Sequence, residues 1–129
     1  MTEELVLTAL EHGVFEIRLN RPERMNALGV ATVAALEKAV SDASTQGARV
    51  LLVRGNGKAF CAGADLKERA GMDLAGKLAH NAGIRAAIDA VAAARCVTIA
   101  VINGLALGGG TELALGCDLF AQGCREFAA

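Results

Sequence analysis

Three consecutive glycines, residues 108–110, stand two positions before an acidic residue, Glu112. A glycine turn between a buried strand and a helix leaves backbone N–H groups accessible to a ligand, because no side chain shields them. Such N–H groups bind phosphate or stabilise an oxyanion. Glycines of this kind also serve as a tight turn with close strand–helix packing, so both interpretations stay open.

Glu112 lies three positions after Gly109, so on a helix the two residues share one face. A carboxylate one turn away from backbone donors can act as a general base or a general acid. A glutamate in the first turn of a helix also stabilises the helix dipole. The spacing alone does not decide between these two roles.

A second glycine-centred turn covers residues 60–67, which read Phe-Cys-Ala-Gly-Ala-Asp-Leu-Lys. Asp65 is of a type that caps a following helix. If the strands predicted at 50–53 and 97–102 are parallel neighbours, both turns emerge at one sheet edge, where open α/β sheets bind ligands. One N–H group from each turn would then form a two-donor oxyanion hole, and the alternative is a pair of ordinary strand-to-helix loops.

Two common phosphate-binding motifs are not matched. The dinucleotide fingerprint G-x-G-x-x-G, started at Gly108, requires a glycine at the position that Leu113 occupies. Residues 55–59 lack the spacer and the Ser/Thr of a P-loop. These mismatches argue against a nucleotide-binding protein.

The hydrophobic periodicity predicts an α/β fold in which strands and helices alternate. Strands are predicted at 5–7, 14–19, 50–53 and 97–102, with a hairpin turn at 11–13 and helices at 30–43, after Asp65, at 74–94 and at 111–115. The continuous apolar run 50–53 is typical of a strand covered on both faces. The predicted buried helical positions are Val33, Leu36, Val40, Leu78, Ile84, Ile88 and Val91.

Length and charge restrict the function further. A chain of 129 residues corresponds to one domain, 1–129. The net charge of −1 and the 3% aromatic content disfavour binding to nucleic acid or to an anionic membrane. Because 53% of the residues are hydrophobic, we expect deeply buried strands, a partner subunit, or both.

The N-terminus and the cysteines point to a reduced cytoplasmic protein. Residues 1–4 are acidic, which disfavours a secretory or mitochondrial leader. The longest uncharged stretch, 96–111, is too short and too rich in glycine to span a bilayer. No two of the four cysteines have C-x-x-C spacing, so we expect buried thiols and no metal site.

Three segments together resemble the crotonase (enoyl-CoA hydratase/isomerase) superfamily. They are residues 21–28 (RPERMNAL), 58–67 (KAFCAGADLK) and 101–113 (VINGLALGGGTEL), in the family's order and at its separations. The resemblance covers residues 5–118. It implies a crotonase-like ββα spiral and acyl-CoA thioesters as substrates, with no metal or redox cofactor, since coenzyme A is part of the substrate.

The resemblance also implies a catalytic apparatus. In this family two backbone N–H groups polarise the thioester carbonyl, and they match Ala64 and Gly109 here. Glu112 matches the first of the two glutamates with which hydratases add water across the 2,3-double bond. The remaining matched positions are Lys58 and Lys67, which lie near the CoA phosphates or are ordinary surface lysines, and Ala27, Ala62, Asp65 and Leu66, which line the CoA and acyl path.

The chain departs from the family pattern after Asp118. The family's second glutamate falls in a Pro-Glu pair, whereas no proline follows Pro22 here and Glu126 has a different context. Residues 120–127 also resemble the corresponding family strand and loop less well. Family members are longer, so we expect an N-terminal portion of the spiral, truncated at its C-terminus, from a family whose full-length members form trimers or dimers of trimers.

The predicted function is therefore an enoyl-CoA hydratase-like lyase that forms a homo-oligomer. One alternative is a truncated, non-catalytic crotonase-like chain that self-associates and binds acyl-CoA weakly. Another is a family member with a different acyl-CoA reaction, such as an isomerase or a thioesterase.

Overall fold

Strands and helices alternate along residues 4–122, the part of the chain that the computed structural model describes. The acidic start at 1–3 and the segment from 123 onward, with Cys124 and Glu126, lie outside the described residues. The strands are β1 Val6–Glu11, β2 Val14–Leu19, β3 Val50–Gly55, β4 Ala59–Cys61, β5 Val97–Ile102, β6 Leu105–Ala106 and β7 Leu119–Gln122. The helices are α1 Val30–Thr45, α2 Leu66–Ala70, α3 Leu74–Ala92 and α4 Gly109–Leu115, with a 3₁₀ turn at Pro22–Arg24.

Five strands form one sheet in the order β1-β2-β3-β5-β7. β1 and β2 are antiparallel, and each later pair is parallel. The predicted parallel pairing of residues 50–53 with 97–102 is confirmed, with Leu51 opposite Thr98. β4 and β6 form a separate two-stranded parallel sheet that the sequence did not predict.

The predicted turn between β1 and β2 is confirmed. His12 and Gly13 have φ values of 55° and 82°. Two successive residues with positive φ are characteristic of the type I′ turn, whose twist matches that of a β-hairpin. β1 extends to Glu11, beyond the predicted 5–7.

The hydrophobic core lies between one face of the large sheet and the helices. α1 packs against β2 and α3. Leu51 and Val53 of β3 are fully buried, whereas Val50 and Leu52 are only partly buried. The prediction that both faces of this strand are covered is wrong, because alternate residues point to opposite faces and the core is on one of them. The other buried core residues include Phe15, Ile17 and Leu19 of β2, Val33, Leu36 and Val40 of α1, Ile84, Ile88 and Val91 of α3, and Leu113 of α4.

One predicted core position is wrong. Leu78 is 60% exposed, whereas His80, two residues later, is 3% exposed. His80, Ile84 and Ile88 follow one another at four-residue intervals and therefore lie on the same face of α3. Within residues 4–122, no helix is both long enough and apolar enough to cross a membrane.

Candidate active site

The two glycine turns leave the small β4–β6 sheet. In chain order, the first turn, within residues 60–67, follows Cys61. The second turn, with the glycines 108–110, follows Ala106, which is the partner of Cys61 in the parallel register. The sequence predicts that both turns emerge from the sheet that contains β3 and β5. The short strands β4 and β6 instead intervene, and they carry both turns to a common edge.

The backbones of the two turns are in close contact at Gly63. A Cβ atom on Gly63, whose φ is 90°, would lie 2.7 Å from the carbonyl oxygen of Leu107 and 3.1 Å from the nitrogen of Gly109. A Cβ atom on Gly110 would run into the carbonyl oxygen of Cys61. Only glycine allows this approach, so the two turns are held together backbone to backbone.

The N–H group of Ala64 has no acceptor in the isolated β-bridge that pairs Ala64 with Leu28. The Leu28 N–H donates to the carbonyl of Gly63 (2.7 Å), and the Asp65 N–H donates to the carbonyl of Leu28 (3.0 Å). Both bonds involve the neighbours of Ala64 and not Ala64 itself. The Ala64 N–H therefore makes no hydrogen bond within residues 4–122.

The N–H group of Gly109 is unpaired for a different reason. Gly109 is the first residue of α4, and the first N–H groups of a helix have no acceptor inside it. The next such group, on Gly110, donates to the carbonyl of Leu107 (2.8 Å), but that of Gly109 has no acceptor in the described part of the chain. Two free backbone donors thus lie on adjacent turns.

Glu112 lies about one helical turn after the Gly109 donor, on the same helix, α4. Its side chain is 53% exposed, and its Oε2 atom lies 3.7 Å from Nη2 of Arg85 in α3. The carboxylate is therefore accessible to water and has a cationic neighbour. Gly109 and Glu112 lie on one helix, and Ala64 follows Gly63, which contacts Gly109. The catalytic roles of these three residues stay a prediction.

The side chain of Asp65 is buried and bonded to other groups of the protein. Its side chain is 3% exposed and accepts the N–H groups of Lys67 and Glu68, both at 3.2 Å, which caps α2 as predicted. It also pairs with Arg24, whose Nη2 lies 2.5 Å from Oδ1. The carboxylate of Asp65 is occupied by protein donors, its N–H donates to Leu28, and its carbonyl accepts the N–H of Arg69 (2.9 Å). Contact between Asp65 and a ligand therefore stays a prediction.

The other predicted ligand contacts differ in exposure. Lys58, Leu66 and Lys67 are exposed, with Leu66 at 71%. Ala62 is partly buried and Ala27 is buried. Lys58 precedes the first turn, whereas Leu66 and Lys67 lie at its end. Contact between these three side chains and a ligand stays a prediction.

Asn26 is a buried polar residue whose role the sequence did not reveal. It is fully buried with a φ of 57°, a conformation that asparagine adopts more readily than most residues. Its Oδ1 accepts the N–H of Arg21 (2.8 Å), and its Nδ2 donates to the carbonyls of Asn56 and Ala59 (both 2.9 Å). Asn26 thereby fastens the segment before Leu28 to the start of β4.

These segments coincide with those of a known family. Residues 9–125 match the sequence profile of the enoyl-CoA hydratase/isomerase family. The chain belongs to this family. It is 45% identical over 115 residues to enoyl-CoA hydratase domain-containing protein 2, mitochondrial, of Mus musculus, covering 88% of this chain and 39% of that protein. It is 41% identical over 122 residues to the mitochondrial methylglutaconyl-CoA hydratase of Homo sapiens, covering 91% of this chain and 36% of that protein.

The fold agrees with the family assignment. The crystal structure of an enoyl-CoA hydratase from Bacillus anthracis superposes with a TM-score of 0.86 at 38% identity, covering 91% of this chain and 46% of that one. The predicted crotonase-like α/β fold is confirmed. The chain spans less than half the length of each of these proteins, in agreement with the predicted N-terminal half of a crotonase-family protein.

The three thiols in the described part of this crotonase-family chain are not activated. Cys61, Cys96 and Cys117 are free, and burial raises the pKa of both Cys61 and Cys117 to about 11. Cys61 directly precedes the first turn, but a neutral thiol is a poor nucleophile. Among residues 4–122, no three His, Cys, Asp or Glu side chains are grouped as metal ligands.

A separate cleft lies between β1 and α1. Its volume is about 480 Å³, and its lining includes Thr8, Ala35 and Lys38. None of the predicted site residues of this crotonase-family chain lines it. The predicted site therefore lies at the two turns, away from this cleft.

Proposed function

We propose that this chain carries the oxyanion hole and one acid–base carboxylate of an enoyl-CoA hydratase-like lyase acting on trans-2-enoyl-CoA thioesters. The observation that carries the proposal is the pair of unpaired N–H groups on Ala64 and Gly109, on turns whose backbones touch at Gly63. Two adjacent backbone donors suit an oxygen atom that gains negative charge during a reaction.

In this proposal the thioester oxygen accepts hydrogen bonds from Ala64 and Gly109. When a nucleophile attacks C3, the electron pair of the 2,3-double bond moves toward C1 and the oxygen takes on enolate charge. Donors that are already in place stabilise this charge without reorganisation, and the loss of one typically costs ~10²–10³ in rate.

Glu112 supplies the proton transfer. Its carboxylate takes one proton from a water molecule while the water oxygen bonds to C3. The proton then held by Glu112 is delivered to C2 as the enolate collapses to the thioester, which balances the addition of one water. The 53% exposure of this side chain allows water to reach it.

The substrate class follows from the names of the similar proteins. These names share CoA and hydration, including the hydration of methylglutaconyl-CoA. We assign the CoA phosphates to the exposed Lys58 and Lys67, and the lining of the CoA and acyl path to Ala27, Ala62, Asp65 and Leu66. Coenzyme A enters as part of the substrate.

A homo-oligomer and a cytoplasmic location complete the proposal. Thirteen large hydrophobic side chains are exposed in residues 4–122, including Leu74 at 73% and Leu115 at 67%. This amount of exposed apolar surface favours association between chains. The cytoplasmic location stays a prediction, and the similar mouse and human proteins are named as mitochondrial.

The decisive experiment follows the hydration of crotonyl-CoA as loss of enoyl absorbance. We expect turnover by the chain, and a rate at least ~10²-fold lower for Glu112→Gln, which keeps the size but removes the base. Equal rates for the two proteins would show that Glu112 has no acid–base role.

A matched pair of variants at Gly109 tests the donor. Gly109→Pro deletes the N–H at a helix position that accepts proline, and we expect it to abolish turnover. Gly109→Ala keeps the N–H, and the nearest atom to its Cβ lies 3.5 Å away, so we expect turnover to persist. Retention of rate in folded Gly109→Pro would rule out this donor.

The same assay separates the alternatives. Release of free CoA thiol would indicate a thioesterase, and a shifted double bond would indicate an isomerase. If no reaction occurs but crotonyl-CoA raises the Tm of the chain, the non-catalytic binding protein is the better description.

A further inference from the structure

The imidazole of His80 is a buried ionisable side chain, bonded to Leu28 beside the first turn, that has no assigned role. It is 3% exposed in α3, and its Nε2 lies 2.8 Å from the carbonyl oxygen of Leu28. Its Nδ1 lies 3.2 Å from Nε of Arg69 in α2. The ring therefore connects two helices to the segment that precedes α1.

The partners of the ring determine its protonation. A guanidinium carries only donors, so Nδ1 of His80 must be the acceptor for Arg69. A carbonyl oxygen only accepts, so Nε2 must carry the proton and donate it to Leu28. His80 is thus the neutral Nε2–H tautomer, with both ring nitrogens satisfied.

The carbonyl oxygen of Leu28 accepts two hydrogen bonds. It accepts one hydrogen bond from Nε2 of His80 and a second from the backbone of Asp65 (3.0 Å). The N–H of the same Leu28 donates to Gly63. The backbone of Leu28 is therefore hydrogen-bonded to the residue on each side of Ala64, and the His80 ring restrains the carbonyl of Leu28.

We propose that His80 is a positioning residue that orients the Ala64 N–H through the carbonyl of Leu28. The inference rests on the oxyanion-hole function proposed above. A buried imidazole is costly unless its polar atoms are paired, and an apolar side chain would fill this face of α3 without that cost. The two directional hydrogen bonds are what the imidazole adds to packing.

Arg69 holds the ring from the opposite side. Its Nη2 also donates to Oδ1 of Asn81, the residue after His80. α2 begins directly after Asp65, so the Arg69–His80 contact ties the far end of the turn to α3. Both ends of the segment that carries Ala64 are thereby tied to α3.

The test compares His80→Phe, which keeps a ring but removes both hydrogen bonds, with His80→Gln, whose amide can still donate to Leu28. Backbone ¹H–¹⁵N spectra and crotonyl-CoA kinetics are measured on both. We expect His80→Phe to shift the Ala64 amide resonance and to lower kcat about tenfold with KM little changed, because a misplaced catalytic group loses rate steeply. We expect His80→Gln to keep the Ala64 amide resonance near its original position and to retain most of the kcat.

The outcomes separate this inference from the proposed function. An unmoved Ala64 resonance in folded His80→Phe overturns the positioning role and leaves the oxyanion hole intact. A moved resonance with unchanged kcat supports the positioning role and overturns the catalytic use of the Ala64 N–H.

A measurement on the unmodified chain covers the case in which His80→Phe does not fold. The ¹⁵N resonances of the His80 ring distinguish a protonated from an unprotonated nitrogen. We expect a protonated Nε2 and an unprotonated Nδ1. An unprotonated Nε2 would overturn the inference, because that atom could then not donate to Leu28.

Discussion

The nitrogen of Gly109 lies 3.1 Å from the point that a Cβ atom on Gly63 would occupy. Neither residue has a side chain, so the two turns meet through backbone atoms alone. Ala64 directly follows Gly63, so this contact holds the segment that carries Ala64 against the turn that carries Gly109. The separation of the two proposed donors thus depends on glycine at position 63.

Substitution of Gly63 by alanine should disrupt this contact. The new Cβ would lie 2.7 Å from the Leu107 oxygen at a φ of 90°, so the turns must separate. We expect the free energy of unfolding to fall by at least ~1–2 kcal/mol and turnover of crotonyl-CoA to fall more than about tenfold. Urea denaturation and the absorbance assay measure the two effects.

Gly109→Ala is the control for this substitution. Its Cβ meets Ile84, Gly63 and Leu28 only at ordinary contact distances of 3.5–3.7 Å. It should change stability much less than Gly63→Ala. Similar losses for the two variants would show that the contact does not require glycine at position 63.

The carboxylate of Asp65 should contribute to stability more than an ordinary helix cap does. Asp65→Ala removes two hydrogen bonds at the start of α2 and leaves Arg24 without its partner. Cap removal costs about 0.5–2 kcal/mol, and loss of a partly buried ion-pair partner adds to it. We expect a total loss of about 2–3 kcal/mol in urea denaturation.

Asp73→Ala provides the matched comparison. Asp73 caps α3 by accepting the Gly76 N–H at 2.8 Å, but it is exposed and pairs with no cation in residues 4–122. Its loss should cost about 1 kcal/mol. Equal costs at the two caps would contradict a stabilising contribution from the pair with Arg24.

The features of the site that were predicted are those with a local cause. Glycines after a strand predict a turn, and Asp65 followed by apolar and charged residues predicts a cap, because each depends on a few neighbouring positions. The alternation of partly buried and buried residues in β3 was missed. A run of four apolar residues does not reveal whether one face or both faces of the strand are buried.

The features that were missed depend on contacts far apart in the sequence. Arg24 and Asp65 are separated by 41 positions, and His80 and Leu28 by 52. His80 did have a local signal, since it stands four residues before Ile84 on an apolar face. Its two hydrogen-bond partners come from other elements, so they follow only from the three-dimensional structure.

The ion pair between Arg85 and Glu112 should affect catalysis more than stability. Both side chains are more than half exposed, and their nearest charged atoms are 3.7 Å apart. Exposed pairs contribute about 0–1 kcal/mol, so Arg85→Gln should change unfolding by less than ~0.5 kcal/mol and turnover by at most about fivefold. Because salt screens such pairs, 1 M NaCl should remove most of the difference in rate.

Lys77→Gln is the control for Arg85→Gln. Lys77 is an exposed cation on the same helix and makes no ion pair within residues 4–122. Its replacement should leave turnover unchanged at low salt. An equal loss of rate in both variants would indicate a general effect of charge and not an effect of Arg85 on Glu112.

The buried thiols should make stability fall at high pH. Burial raises the pKa of Cys61 and Cys117 in the folded chain from the ordinary 9.0 to about 11. Above pH 9 the unfolded chain loses these protons while the folded chain keeps them, so the free energy of unfolding decreases. The stabilisation is complete below pH 9 and is lost as the pH rises toward 11, by about 2–3 kcal/mol for Cys61 and by less for Cys117, which is less deeply buried.

Urea denaturation between pH 8 and pH 11 measures this loss. The chain has no tyrosine, which removes one other group that titrates in this range. The double variant Cys61→Ala/Cys117→Ala should be less stable at pH 8 but should show a flatter pH dependence, because its unfolded state has fewer thiols to ionise. The same slope in both proteins would mean that these thiols titrate alike in the folded and unfolded chains.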